Sequence, residues 1–252
     1  MTDRAMGAVF RDPEVARAYR RRAPYAPETF AVLEDLVVGP KAILDLGAGN
    51  GQLAREMVVF AERVDAVDPS RAMIAEGQKL PNGLDPKLRW ILGAAEDAPL
   101  DGPYGLATAG TSVHWLDATR VMPRLDAALV PGARFAIVDI DDGAHPMPGM
   151  LDIFDRYSEG HHHDVAEVVD DLVARGHFTL EGQRRLTPVT VRRSLDEYLE
   201  YLHSTSDFAR VRLGSRADAF DAEVRALFAR EGTDAIERRY VTVVSWGRPV
   251  AA

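Results

Sequence analysis

Between residues 41 and 139, short apolar runs alternate with amphipathic helical stretches, and this alternation constrains the fold more than any other feature of the chain. Lys41–Leu46 is apolar and ends at glycines, which reads as a buried strand. From Gln52 the period changes: Leu53, Met57, Phe60 and Ala61 share one helical face, with Arg55, Glu56 and Glu62 elsewhere. Arg63–Val67 is a second strand, closed by Asp68, Pro69 and Ser70, where proline ends the ladder and a helix over 71–79 can start. Pro81, Asn82 and Gly83 end that helix. Leu88–Leu92 is the third strand, and 103–110 holds a fourth, diluted by glycines. A helix over 117–129, a turn at Pro131 and Gly132, and a fifth strand over Arg134–Asp139 complete the series. Five such alternations imply a parallel sheet covered on both faces, with right-handed crossovers.

Past Asp139 the rhythm loosens. Residues 165–175, 195–203 and 217–230 read as helices, 177–186 as a strand and Tyr240–Trp246 as the last strand. The two helices before that strand form a small cap inserted beside the sheet. The expectation is one α/β domain over 1–252, with N-terminal helices in 1–40 and a ligand-binding core in 41–140. Residues 141–235 supply part cap and part acceptor-side elements, and 236–252 the last strand and tail.

Composition removes several alternatives. The net charge is -9 and the basic residues are scattered, whereas a duplex-binding surface needs concentrated positive charge; a nucleic-acid partner is not expected. The absence of cysteine excludes disulfides, thiolate metal sites and a cysteine nucleophile, and fits a reducing, cytoplasmic setting. Met1–Phe10 is charged and lacks an apolar segment, so no secretion signal is expected. No window approaches the ~20 apolar residues that cross a bilayer. The expectation is a soluble protein, monomer or homodimer.

The chemistry concentrates at the first strand–helix junction. Asp45, Gly47, Gly49 and Gly51 are spaced Asp-x-Gly-x-Gly-x-Gly. Glycines let a backbone turn tightly and approach a ligand closely, and in a doubly wound sheet the crevice beyond this strand end is where nucleotide-like ligands sit. A dinucleotide fingerprint starting at Gly47 would need a third glycine at 52, where Gln52 stands. A carboxylate at Asp45 suits a ligand's ammonium group and would repel a pyrophosphate. Asp68 closes the second strand, where it can accept both hydroxyls of a ribose or instead cap the following helix.

With these residues the chain resembles the class I S-adenosylmethionine-dependent methyltransferase family over residues ~15–140. Asp45–Gly51 matches that family's first motif, and Asp68 its ribose-binding acid. Gly93–Leu100 is similar to the segment that lines the adenine. Relatives mostly carry an acid at or beside Ala94, so Glu96 and the Ala95 backbone serve here. Gly110–Asp117, with His114 and Trp115, looks like the His-Trp signature of a subgroup that includes trans-aconitate-type methyltransferases, and Arg22–Pro27 is similar to that subgroup's N-terminal stretch. The resemblance implies a Rossmann-like sheet of seven strands, mostly parallel with an antiparallel last strand. It also implies S-adenosyl-L-methionine as cofactor and a small-molecule acceptor, with O-methylation favoured slightly over N or C. Methylation of RNA or of a protein side chain, and a non-catalytic binding module, are the competing readings.

Expected cofactor contacts are Tyr19, Arg22, Asp45, Gly47, Ala48, Gly49, Gly51, Asp68, Pro69, Ala95, Glu96, Gly110 and Thr111. Arg22 would face the cofactor carboxylate, although the basic run Arg20–Arg22 also reads as a solvated helix face. Thr111 would touch the methionine end through its backbone. Tyr25, His114, Trp115, Asp139 and Tyr201 are expected around the acceptor, with His114 as candidate base because imidazole titrates near neutrality. Trp115 would wall the acceptor pocket or pack beneath the cofactor. His161, His162 and His163 do not show compact ligand spacing, so no metal is expected.

Overall fold

The structure, a computed structural model, describes residues 7–158 and 165–251. The chain divides into two compact units: Tyr25–Asp141, His163–Thr187 and Val241–Ala252 make the larger, and Met1–Pro24, Asp142–His162 and Pro188–Tyr240 the smaller.

In the larger unit the strands are β1 (Ala42–Leu46), β2 (Arg63–Asp68), β3 (Leu88–Leu92), β4 (Tyr104–Gly110), β5 (Leu129–Asp141) and β6 (Phe178–Arg185), with the second half of β8 (Ala235–Pro249). Their order is β3-β2-β1-β4-β5-β8-β6. The first five run parallel, whereas β8 is antiparallel to both β5 and β6. This is the doubly wound, mostly parallel sheet expected, and its strand order reverses between β1 and β4. Every residue of β1 is buried, including Asp45, its one charged residue. Leu44, Leu46, Val67, Tyr104, Met122, Leu125, Phe135, Ile137 and Phe178 share one apolar cluster, each large side chain contributing roughly 1.5–3 kcal/mol.

Helices α2 (Glu28–Leu36), α3 (Ala54–Met57), α4 (Arg71–Gly77), α5 (Ala118–Ala128) and α7 (Val165–Ala174) belong to the same unit. Helix α3 is a single turn, shorter than the periodicity from Leu53 to Ala61 suggests. Asp117 caps α5, accepting from the Thr119 amide.

The smaller unit holds α1 (Pro13–Ala18), α6 (Pro148–Tyr157), α8 (Leu195–His203), α9 (Arg210–Leu213) and α10 (Ala217–Arg230). Strand β7 (Val189–Ser194) pairs antiparallel with the first half of β8, from Val189 opposite Tyr240 to Ser194 opposite Ala235. Neither β7 nor α6 is expected from the sequence, and β8 begins five residues before the expected Tyr240. Pro148 stands in the first turn of α6, where its missing N–H costs nothing. A capping box between Ser194 and Glu197 starts α8. Met150, Phe154, Tyr198, Leu202, Phe220 and Phe228 form this unit's core.

Candidate cofactor site

The turn after β1 has Gly47, Gly49 and Gly51 at φ of +64°, +58° and +76°. Glycine adopts this left-handed conformation without a Cβ penalty. A Cβ on Gly47 would lie 2.7 Å from Ser112 Cβ, and one on Gly51 2.6 Å from Trp90 Cη2, so backbone conformation and packing both demand glycine there. The Ala48 amide donates to the Val67 carbonyl at 3.0 Å and the Gly51 amide to the Ala48 carbonyl at 2.8 Å, folding the turn toward the end of β2.

Asp68 joins these parts. One carboxylate oxygen accepts from the Gly49 amide and the other from the Ser70 amide, both at 2.7 Å. Helix α4 is capped by Ser70, whose hydroxyl accepts from the Met73 amide, so the alternative reading of Asp68 as the cap does not hold. Asp45 pairs in register with Ala66 on β2. Paired residues point to one face and alternate residues return to it, so Asp45 and Asp68 share a side of the sheet. Burial pushes Asp68 up to about 6, against the pull of its two amide bonds. Burial, with the Asp68 charge adding to it, pushes Asp45 up to about 7, although the Thr108 hydroxyl at 2.8 Å and the Ala54 amide both donate to it. Two carboxylates out of water beside the glycine turn form a site that favours a cationic, hydroxyl-bearing ligand.

The end of β4 closes the other side of the strand-order reversal. Thr111 has φ +50°, an uncommon conformation for a β-branched residue. Its amide donates to the Val138 carbonyl at 2.8 Å and its hydroxyl bonds Tyr25 Oη at 2.7 Å. Strain of this kind gathers at ligand sites. A Cβ on Gly110 would meet Tyr25 Oη at 2.6 Å and Leu53 Cδ1 at 2.8 Å. Ser112 donates to the Leu46 carbonyl at 2.8 Å, tying the β1 and β4 ends together. His114 and Trp115 follow on a 3-10 turn, with ring centroids 4.4 Å apart.

Other expected residues have structural partners. Glu96 is buried and accepts from the Asp117 amide at 3.0 Å, so it anchors the start of α5; Ala95 lies in the core cluster. Pro69 separates Asp68 from the Ser70 cap. Asp139 is buried at the end of β5 and accepts from the Ile140 amide at 2.9 Å. Sequence reasoning missed Ser112 and Trp90. The Trp90 indole N–H donates to the Gly83 carbonyl at 2.9 Å while its ring packs against the Gly51 turn, and no short-range pattern marks such a contact.

Tyr19, Arg22 and Tyr201 lie in the smaller unit. The Arg22 guanidinium sits over the Tyr19 and Tyr201 rings, at 5.2 and 5.9 Å, and donates to the Ser204 carbonyl at 3.0 Å. Arg21 is not merely solvated: it pairs with Glu197 at 2.8 Å and Glu200 at 2.6 Å. His145 bonds Tyr198 Oη at 2.8 Å and is lowered to about 4 by burial and by nearby Arg238, so it is neutral at pH 7. His161, His162 and His163 lie outside the described residues. Among the described residues no His, Asp and Glu group could hold a metal, and no helix is long and apolar enough to cross a membrane.

Comparison with known proteins converges on this region. The family model "Methyltransferase domain" matches residues 43–132. An uncharacterized methyltransferase of Mycobacterium tuberculosis is 35% identical over 123 residues, 48% of either chain. A ubiquinone/menaquinone biosynthesis C-methyltransferase of Rubrivivax gelatinosus is 32% identical over 106 residues, 40% of either chain. The matches thus span about half or less of these curated relatives. A solved structure from Anaeromyxobacter dehalogenans, named for a proposed type II methyltransferase, is 27% identical, covers 90% of this chain and 97% of its own, and superposes with a TM-score of 0.66.

Proposed function

We propose that the chain is a class I S-adenosylmethionine-dependent methyltransferase, a reading supported by the methyltransferase-domain match over residues 43–132 and the likeness to methyltransferases, and that it transfers the cofactor's methyl group to a small organic acceptor, with oxygen favoured as the attacking atom. The observation that carries this reading is Asp68, buried on the same side of the sheet as Asp45 and bonded to the Gly49 amide at 2.7 Å. The residues fit the cofactor: a carboxylate has about four acceptor positions, and Gly49 and Ser70 take one on each Asp68 oxygen. The remaining positions suit two ribose hydroxyls. Asp45, 1% exposed, places negative charge under the turn, where an ammonium gains from it.

Bound there, S-adenosylmethionine supplies a methyl carbon already made electrophilic by its sulfonium. The protein's task is to align the acceptor, exclude water and take up a proton where the acceptor has one to lose. Glycines 47, 49 and 51 let the backbone approach the cofactor, with Ala48 and Pro69 shaping the turn's two sides. Gly110 and Thr111 bound the methionine end, and Tyr25 fixes Thr111 through their hydroxyl bond. His114 is the proposed base and Trp115 orients it by ring contact. Ala95, through its backbone, and Glu96 line the adenine side, the Glu96 carboxylate also holding the Asp117 amide. Asp139 faces the acceptor.

Calorimetric titration with S-adenosylhomocysteine tests the cofactor half of this reading, and transfer of labelled methyl into a metabolite extract tests the acceptor half. Binding together with labelling of a small molecule supports it. Binding without transfer to any small molecule would leave only the fold-level statement standing.

A further inference from the structure

In the smaller unit, three arginines surround two tyrosine rings with too little negative charge to balance them. The Arg193 guanidinium lies 4.4 Å from the Tyr201 ring centroid and 5.4 Å from that of Tyr240; Arg238 lies 5.6 Å from Tyr240 and Arg22 5.9 Å from Tyr201. Arg193 and Arg238 are 3% and 6% exposed. Arg193 donates from Nε and Nη2 to the Arg21 carbonyl and from Nη1 to Tyr240 Oη. These partners satisfy N–H groups without neutralising charge. Arg238 donates to the Asp142 carbonyl at 2.9 Å and meets its carboxylate at 3.0 Å, but that carboxylate is half-exposed. Glu197 and Glu200 are engaged by Arg21.

The Nε atoms of Arg22 and Arg238 are both buried with no hydrogen-bond partner. A buried cation is costly unless paired, and a buried donor without an acceptor adds to that cost. The cation–π contacts offset part of it. The field of this excess is felt at His145, which Arg238 helps to keep unprotonated.

We propose that Arg22, Arg193 and Arg238, set around Tyr201 and Tyr240, bind the carboxylate of a small organic acid. The edge of a guanidinium formed by Nε and one Nη matches the two oxygens of a carboxylate, and Arg22 and Arg238 each keep the Nε half of that edge unbonded. The aromatic side chains of Phe154, Tyr198 and Tyr201, in the same apolar cluster, favour an acid carrying a hydrocarbon part over a bare inorganic anion. Such binding goes beyond methyl transfer and does not depend on it.

The test compares octanoate, octanol and S-adenosylhomocysteine by calorimetric titration of the wild-type chain and Arg238→Met. Octanoate is expected to bind the wild type at least about tenfold more tightly than octanol and to lose about tenfold in Arg238→Met, with S-adenosylhomocysteine affinity unchanged. Equal affinity for octanoate and octanol in the wild type would overturn the proposal. So would octanoate affinity untouched by Arg238→Met, or a loss that falls on S-adenosylhomocysteine instead. Should Arg238→Met fail to fold, the wild-type octanoate–octanol comparison decides alone. Failure of S-adenosylhomocysteine to bind the wild type would sink the methyltransferase reading while the octanoate result still reports on the arginines.

Discussion

Replacing Asp68 by Asn keeps the side chain's size and removes one acceptor oxygen and the charge. In the structure one oxygen accepts from the Gly49 amide and the other from the Ser70 amide. The Asn amide nitrogen must then face a backbone N–H or a ribose hydroxyl that the carboxylate accepted. Losing one charge-assisted hydrogen bond costs about 1.5–3 kcal/mol, or roughly ten- to a hundred-and-fifty-fold in dissociation constant. A pH profile separates this from general damage. Asp68 ionises at about 6, and only the ionised form accepts fully from the ribose. Affinity for S-adenosylhomocysteine therefore falls as pH drops through 6, the Asp68 contribution reaching roughly a tenth at pH 5, while Asp45, raised to about 7, adds a separate fall centred there. Asp68→Asn should be weaker at pH 7.5 and lose the part of this profile centred near 6. Calorimetric titration from pH 5 to 8 measures both effects. Wild-type affinity that is flat over that range, or an Asn variant within about twofold of wild type at pH 7.5, would refute the reasoning.

Three further outcomes follow from the same geometry. In ligand-free protein the Asp45 carboxyl, raised to about 7 from an ordinary value of 3.8, stabilises the fold fully below pH 4 and loses that contribution as pH rises through 7, by roughly 4 kcal/mol at most. Asp45→Asn should flatten this decline in denaturant titrations at pH 5 and 8. Gly51→Ala places a Cβ 2.6 Å from Trp90 at φ +76°, costing roughly 1–3 kcal/mol or more; a lower melting temperature and weaker cofactor binding are expected together. His114→Gln should lower kcat about a hundredfold or more if His114 is the base and leave S-adenosylhomocysteine affinity unchanged, while equal losses in both would make it a packing residue.

The parts of the fold legible in the sequence are those buried on both faces. Strands β1, β2 and β4 read as apolar runs because helices cover both sides of a parallel sheet, and the glycine turn is visible because only glycine meets its dihedral demand. Strand β7 escaped notice because its one buried residue is Arg193, which gives no apolar alternation. Helix α6 escaped because the prolines and glycine at 146–149 read as loop, although Pro148 is a sound first-turn residue. The candidate site divides the same way. Asp45 and Asp68 stand out as acids at strand ends, whereas Ser112 and Trp90 matter through contacts with residues far away in sequence. The charge on Arg193 and Arg238 is visible in the sequence; their burial around Tyr201 and Tyr240 is a tertiary fact.

The most direct measurement is a crystal structure of the chain with S-adenosylhomocysteine bound. Both ribose hydroxyls are expected at hydrogen-bond distance, ~2.5–3.0 Å, from the Asp68 carboxylate, with the ligand lying across the 47–51 turn. A ligand seated elsewhere, or a ribose whose hydroxyls avoid Asp68, would contradict that expectation.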